Sequence, residues 1–178
     1  VVDLVEEVLG ALLGETGLRE DAFMATKVDR EDASDGVERM ESSFGRLGKP
    51  IDLMQVHNLR GTDVQLKTMF EWKEAERLGH VGITTHRVSQ HAEVEAFMRK
   101  YPLDFIQVNY SLADRAAAER ILPLAADNGI AVALAAQPAS NDEMLPTPTS
   151  GARRVAARRV AWNETERPGV SLRFFHGH

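Results

Sequence analysis

The sequence has no cysteine among its 178 residues. This absence excludes a disulfide framework, a thiolate nucleophile and a thiolate metal site. No uninterrupted apolar run approaches the roughly 18 residues that a membrane-spanning helix needs, so we expect neither a membrane-spanning segment nor a membrane partner. A secretory signal peptide is not recognisable either. A reducing, cytoplasmic location is therefore the expectation.

Nucleotide-binding fingerprints are also missing. No G-x-G-x-x-G motif follows an expected strand and no Walker loop is present, which weakens the case for an open dinucleotide-binding sheet. Acidic residues outnumber basic ones by 27 to 21, giving a net charge of −6. An acidic chain attracts phosphate backbones poorly, so we expect no nucleic-acid partner. Six arginines lie in residues 151–178, and the segment GARRVAARR, which holds four of them, is expected to form a solvated helix face.

The composition that remains is that of an ordinary globular domain, with 43% apolar and 27% charged residues. Hydrophobic periodicity predicts a helix at the start of the chain, with one buried face and an end at Gly14 and Gly17. Its buried face is expected to comprise Val2, Val5, Val8, Leu9, Leu12 and Leu13.

Strands and helices then alternate along the chain. Nearly continuous apolar runs predict five strands, at residues 22–28, 51–58, 80–85, 103–111 and 130–136. Helical patterns separate them, and one of these begins with Thr62 and Gln65 at the spacing of a capping box, while Asp114 is expected to cap another. Regular alternation of this kind predicts a parallel sheet covered by helices, either an open doubly wound sheet or a closed eight-stranded barrel.

Polar side chains recur at the carboxyl ends of the predicted strands, where parallel α/β proteins place their functional groups. These ends carry Lys27, then His57 and Asn58, then Thr84, Thr85 and His86, then Gln107, Asn109 and Tyr110. Four successive strands thus deliver polar groups to one rim. This recurrence favours the mouth of a barrel over an open sheet.

Lys27 and His57 are the most informative of these groups. A lysine inside an apolar strand is costly to bury unless it is paired or functional; the alternative is a side chain that snorkels to solvent or forms a salt bridge. A lone histidine at a strand end is often only a satisfied hydrogen-bonding group. As a pair, the two could flank a carbonyl or hydroxyl, with the histidine donating a hydrogen bond and the lysine tuning a neighbouring pKa.

The two amides of the fourth predicted strand and the remaining histidines allow alternative interpretations. Gln107 and Asn109 are two residues apart and share one face of a strand, so they either hold a planar amide-bearing ligand inside a barrel or contact helices outside it. His86 and His91 lack the spacing of a zinc-binding helix and have no acidic partner beside them. We expect no metal site.

Several segments of the chain together resemble the aldo/keto reductase family. The matching segments are AFMATKV, RLGKPIDLMQVHN, HVGITTHR, LDFIQVNYSLADR and ILPLAADNGIAV, in this order and at family spacing. They cover roughly residues 3 to 138. The resemblance implies a (β/α)8 TIM-type barrel that binds a nicotinamide cofactor, usually NADPH, and reduces aldehydes or ketones to alcohols.

The resemblance also implies roles for individual residues. Lys27 and His57 match the lysine and histidine of the family's catalytic tetrad of Asp, Tyr, Lys and His. In such enzymes the tyrosine is the general acid, the lysine lowers its pKa, and the histidine orients the carbonyl. Thr84, Thr85 and Gln107 match the groups that hold the nicotinamide carboxamide.

The match is partial, because the tetrad's Asp and Tyr lie on or after two barrel strands that this sequence does not show. We therefore expect an incomplete barrel with about five parallel strands in residues 1–138, followed by a divergent Pro/Thr- and Arg-rich tail in 139–178. Such a chain is expected to be an NADP-dependent reductase with reduced or no activity alone. The alternative is a non-catalytic remnant or interaction module that associates through exposed sheet edges.

Overall fold

The computed structural model describes residues 2–135 except 20, 49, 112 and 113. The elements are α1 (Val2–Thr16), β1 (Ala25–Val28), α2 (Ala33–Leu47), β2 (Ile51–Val56), α3 (Thr62–Glu74), β3 (Leu78–Thr84), α4 (His91–Lys100), β4 (Phe105–Asn109), α5 (Ala117–Asp127) and β5 (Ala131–Ala135). Short 3-10 turns at His57–Leu59 and Val88–Gln90 follow β2 and β3. The predicted alternation of strands and helices is confirmed, whereas the expected tail at 139–178 lies outside the described residues.

The five strands form one parallel sheet in the order β1-β2-β3-β4-β5. A doubly wound sheet reverses its strand order at a switch point, so this sequential order is that of a barrel wall. Cα partners across the sheet include Lys27 with Gln55, and Thr84 with Gln107. All carboxyl ends therefore lie along one edge of the sheet.

The two faces of the sheet differ in character, because successive side chains of a strand point to opposite sides. One face packs against the helices and forms the hydrophobic core. Its members include Val28, Val56, Ile83, Ile106 and Val132, which meet Met40, Leu66, Met69, Val94 and Ile121 of the helices. The opposite face, which carries Lys27, Gln55, Thr84 and Gln107, is called the inner face below.

The predicted buried face of α1 is wrong for most of its residues, although Leu13 packs against the hydrophobic core as expected. Val5 is 59% exposed and Val8 and Leu12 are each 50% exposed, whereas Glu6 and Gly10 are buried. Helix α1 instead packs on α2 through a polar, close contact: a Cβ on Gly10 would lie 2.1 Å from the carbonyl oxygen of Arg46. Gly17 ends the helix in the left-handed conformation, with φ of 70°, but Gly14 lies within it.

Glu6 is the centre of a buried polar network between α1, α2 and β1. Its carboxylate accepts hydrogen bonds from Arg39 at 3.1 and 3.2 Å, from Ser43 at 3.1 Å, from Arg46 at 3.2 Å and from the hydroxyl of Thr26. Burial by itself raises the pKa of Glu6, but the hydrogen bonds and charge of Arg39 and the hydrogen bonds of Thr26 and Ser43 outweigh it and lower that pKa. The network therefore holds α1 in place through an ionised Glu6 carboxylate that accepts hydrogen bonds from four side chains.

The predicted capping box at the start of α3 is also wrong. Gly61 occupies the N-cap position with φ of 63°, and the side chain of Gln65 donates to the carbonyl oxygens of Arg30 at 3.0 Å and Asp32 at 2.9 Å. The glutamine therefore holds the loop that follows β1. This loop passes close to the start of α3, since a Cβ on Gly61 would lie 2.4 Å from the carbonyl oxygen of Arg30.

Asp114 lies just before α5 rather than at its N-cap. Its carboxylate accepts from the backbone N–H of Ala116 at 3.2 Å, and Ala116 holds the N-cap position of the helix. The aspartate therefore fixes the turn that leads into α5. Across the part of the chain that the structure describes, no helix is both long and apolar enough to cross a membrane.

The contact at Gly10 gives a test with a matched control. We expect Gly10→Ala to lower the free energy of unfolding by about 1–3 kcal/mol, because the new methyl group has to displace backbone of α2. Gly45→Ala, at an exposed helical position where a Cβ meets nothing within 4 Å, is expected to raise it by up to about 1 kcal/mol. Urea unfolding of both variants measures this, and an unchanged stability of Gly10→Ala would show that α1 does not pack as described.

Candidate active site

Lys27 reaches the carboxyl edge of the sheet from β1. It lies on the inner face opposite Gln55 of β2 and is half-buried. No described residue forms an ion pair or hydrogen bond with its ammonium group. Burial therefore lowers the pKa of Lys27, because desolvation disfavours the charged form.

His57 follows β2 directly and is also half-buried. Burial is the main cause that lowers the pKa of His57, and the charge of Lys27 lowers it further. Asp29 acts in the opposite direction and His86 adds to the lowering. The two residues predicted to be catalytic are thus brought together, because β1 and β2 are paired neighbours, and the electrostatics favour a neutral imidazole beside a lysine.

Thr84 and Thr85 end β3 and form different hydrogen bonds. The hydroxyl oxygen of Thr84 accepts from the backbone N–H of Asn58 at 3.0 Å, and no described residue takes its hydrogen. The hydroxyl of Thr85 donates to the side-chain oxygen of Gln90 at 2.6 Å and accepts from the N–H of Arg87 at 3.0 Å. Thr84 therefore keeps a free hydroxyl donor at the carboxyl edge of the sheet, while Thr85 closes the turn that follows β3.

The two amide side chains of β4 also differ in whether they are hydrogen-bonded within the chain. Gln107 is half-buried on the inner face, and no described residue hydrogen-bonds to its side chain. The side chain of Asn109 is 5% exposed and is held between His91, at 3.1 Å, and Asp114. Only Gln107 is available to a ligand on the inner face, so the two residues do not act as an amide pair.

Gln55 is a site residue that sequence reasoning missed. It is 3% exposed, it lies between Lys27 and Gly82 in the sheet register, and its side-chain nitrogen has no partner among the described residues. The available signal was its spacing of two residues from His57, which places both on one face. A buried amide donor beside a desolvated ammonium group suits an acceptor or an anionic group.

Asn58 was placed at the rim by the sequence but was given no role. It connects the turn after β2 to the end of β3, through Thr84 and through His86, whose Nδ1 lies 2.9 Å from its side-chain oxygen. His86 and His91 are thus engaged with different asparagines. Within the described ranges, no three histidine, aspartate or glutamate side chains are grouped as metal ligands would be.

The inner face has features that fit a nicotinamide carboxamide. Thr84 offers an unused hydroxyl donor, and Gln107, its Cα partner on the next strand, offers an amide donor and acceptor. A planar amide needs this combination of donors and acceptors from one side. Sequential parallel strands, helices on one face and open polar groups at the carboxyl edge define part of a (β/α)8 barrel of the enzyme type.

Comparison with known proteins identifies the family. A model of the aldo/keto reductase family matches residues 3–146, and the chain belongs to this family of oxidoreductases. It is 30% identical over 143 residues to the aldo-keto reductase YhdN of Bacillus subtilis. That match covers 72% of this chain and 42% of the relative, so the chain spans less than half of the relative's length.

Solved structures share the fold. The holo form of aldo-keto reductase AKR11C1 from Bacillus halodurans superposes with a TM-score of 0.63 and 24% identity, over 74% of this chain and 48% of that one. An aldo/keto reductase from Klebsiella pneumoniae, in complex with NADP and acetate, gives a TM-score of 0.58 and 20% identity, over 72% and 47%. The five described strands therefore correspond to part of an aldo/keto reductase barrel.

The proximity of Lys27 and His57 can be tested without any ligand. We expect Lys27→Met to raise the pKa of His57, because a nearby positive charge is removed. A histidine NMR titration measures the shift. Lys67→Met, which removes an exposed lysine from α3, should leave the pKa of His57 unchanged, and equal titration curves for Lys27→Met and wild type would contradict the arrangement.

Lys27→Met is also expected to stabilise the fold near neutral pH. The pKa of Lys27 is lower in the folded protein than in the unfolded chain, so the cost of burying its charge is present at every pH below the folded value. That cost begins to fall as pH rises through the folded pKa, and it is gone only above the pKa of the unfolded chain, where the lysine is neutral in both states. The stability difference between variant and wild type should therefore shrink at alkaline pH, as urea unfolding at several pH values would show.

Proposed function

We propose that this chain is an NADPH-dependent oxidoreductase that reduces small aldehydes or ketones to alcohols. Lys27 and His57 are the proposed catalytic residues, and Thr84, Thr85 and Gln107 the proposed cofactor-binding ones. The observation that carries the proposal is the meeting of a desolvated lysine and a histidine of lowered pKa beside hydrogen-bonding groups that the fold leaves unused. The complex of the Klebsiella relative with NADP supports the choice of cofactor.

The proposed chemistry divides between cofactor and chain. When bound, the nicotinamide cofactor supplies the hydride that reduces the carbonyl carbon. A neutral His57 donates an N–H to the carbonyl oxygen, which polarises the carbonyl and orients it. The ammonium group of Lys27, poorly hydrated where it lies, stabilises negative charge that develops on that oxygen and lowers the pKa of an adjacent proton donor.

The proton donor itself is not offered by either tyrosine of this sequence. Tyr101 donates a hydrogen bond to Asp63 of α3 and stacks on Phe70 and Phe97, on the helical side of the sheet. Tyr110 packs against the hydrophobic core. We therefore propose that this chain alone binds NADPH but reduces carbonyl compounds slowly or not at all.

Thr84 and Thr85 have different proposed roles and provide the test. Thr84→Val removes a free donor, so the dissociation constant of NADPH should rise about 5- to 30-fold. Thr85→Val removes the partner of Gln90 and Arg87, so it should lower the melting temperature and affect NADPH affinity less. Fluorescence titration of NADPH with each variant, together with a thermal melt, measures both effects.

Three outcomes would contradict parts of this proposal. Failure of the wild-type chain to bind NADPH would contradict the proposed function. Equal NADPH affinity for wild type and Thr84→Val would remove Thr84 from the cofactor site. Rapid reduction of a small aldehyde by the wild-type chain would show that a proton donor is present after all.

A second candidate function, self-association, is favoured by the exposed apolar side of α1. Four apolar side chains of this helix are each at least half exposed, namely Leu4, Val5, Val8 and Leu12. Helix α1 precedes β1, which is the first strand of the described sheet. A contiguous apolar helix face is typical of an interaction surface. In this case the chain is a non-catalytic module that pairs with a second copy. Nucleic acids and membranes are not proposed as partners, and a cytoplasmic location stays a prediction.

Light scattering tests the second candidate. If α1 forms an interface, the wild-type chain is a dimer or larger at high micromolar concentration, and Val8→Lys shifts it toward monomer because it places a charge in the apolar face. Glu15→Lys changes an exposed residue of the same helix by a larger charge difference and should leave the mass unchanged. A monomeric wild-type chain would exclude the module.

A further inference from the structure

The turn that follows His57 has an unusual backbone. Asn58 and Leu59 are consecutive non-glycine residues in the left-handed region, with φ of 53° and 57°. Asparagine tolerates this conformation, but a bulky residue such as leucine adopts it only at a cost in free energy. Leu59 is held there because its side chain is 7% exposed within the hydrophobic core, and because the N–H of Arg60 donates to the carbonyl of His57 at 3.1 Å.

Asn58 uses this conformation to connect two strand ends. Its backbone N–H donates to the hydroxyl oxygen of Thr84 at 3.0 Å, and its side-chain oxygen lies 2.9 Å from Nδ1 of His86. An amide oxygen only accepts hydrogen bonds, so Nδ1 of His86 carries a hydrogen while this contact is formed. With the amide oxygen of Asn58 placed toward it, the neutral form of His86 is expected to favour the tautomer protonated at Nδ1.

These two contacts constrain the groups around His57. One lone pair of the Thr84 hydroxyl is occupied by Asn58, so its hydrogen is directed elsewhere and is free for another acceptor. His86 is kept close enough to act electrostatically on His57, together with Lys27 and Asp29. Backbone strain that is held in place beside a site in this manner is typical of functional turns.

We propose that Asn58 is a positioning residue, which holds the Thr84 hydroxyl and the His86 ring in fixed places relative to His57. Its consequence for NADPH rests on the proposed function, because it acts through Thr84. The contacts of Asn58 with Thr84 and His86 do not depend on the proposed function, because they are present in the chain without a ligand.

Asn58→Gly is the decisive variant. Glycine adopts the left-handed conformation freely and keeps the backbone N–H, so only the contact with His86 is removed. We expect unfolding in urea to be no easier than for wild type. In NMR spectra of the ring nitrogens, His86 should shift from the Nδ1-protonated form toward a mixture of tautomers, and the pKa of His57 should rise as His86 moves away.

Two further variants complete the experiment. Asn58→Asp keeps an acceptor oxygen in the same place and should restore the Nδ1-protonated form of His86. Asn128→Gly removes an exposed asparagine, bonded to Leu124 at the end of α5, and should leave both histidines unchanged. In a parallel titration, the NADPH dissociation constant of Asn58→Gly is expected to stay within about twofold of that of wild type, because the backbone N–H that bonds the Thr84 hydroxyl is retained.

The outcomes separate this proposal from the proposed function. Unchanged signals of His86 and His57 in Asn58→Gly would overturn the positioning role, whatever the variant does to stability or to NADPH. Shifted histidine signals would support it even where wild type binds no NADPH, a result that would count against the proposed function alone. Failure of Asn58→Asp to restore the tautomer would also overturn it, because the acceptor oxygen would then not be the cause.

Discussion

Parallel pairing in sequential order is the constraint on which the candidate site depends. Lys27, His57 and Thr84 are separated by about thirty residues along the chain, and they meet only because β1, β2 and β3 are neighbours with their carboxyl ends at one edge. A slip of one residue in this register would exchange the two faces of a strand, so that Lys27 would enter the core and Val28 would lie on the inner face. The apolar residues that pack against the helices therefore maintain the site, although none of them belongs to it.

A buried carboxylate and a half-buried ammonium group differ in what the fold does with their charge. Glu6 is surrounded by donors from Arg39, Ser43, Arg46 and Thr26, and its lowered pKa means that the folded state favours the charged form. Lys27 also has a lowered pKa, but for a base this means that the folded state disfavours its charge, and no described residue compensates it. A charge without a partner is destabilising, and it is also available to a substrate. The first charge supports the structure, and the second is the one that we propose for the reaction.

The sequence predicted the order of elements and the rim residues, because apolar runs and strand-end polar residues are local features. It predicted the wrong face of α1, because the periodicity of valine and leucine shows that a helix is amphipathic without showing what it packs against. Here a buried carboxylate at Glu6 and a close approach at Gly10 decide the contact. The roles of Gln55 and Asn58 were not predictable either. The spacing of Gln55 from His57 indicates only that the two share a face, whereas the lack of a described partner for its amide nitrogen depends on which side chains of adjacent strands face each other. The role of Asn58 depends on a left-handed turn that has no local signature.

The rim residues act in pairs, with one member open and the other engaged. Thr84 and Gln107 keep unused hydrogen-bonding groups on the inner face, while Thr85 bonds Gln90 and Asn109 bonds His91. Gln90 and His91 are the residues at which α4 begins, so the start of one helix supports the ends of both β3 and β4. The engaged members fix the backbone beside the open ones, because each is adjacent in sequence or on the same strand. A planar ligand at this edge would therefore meet donors and acceptors whose backbone positions the fold has already set, which lowers the free-energy cost of assembling them around it.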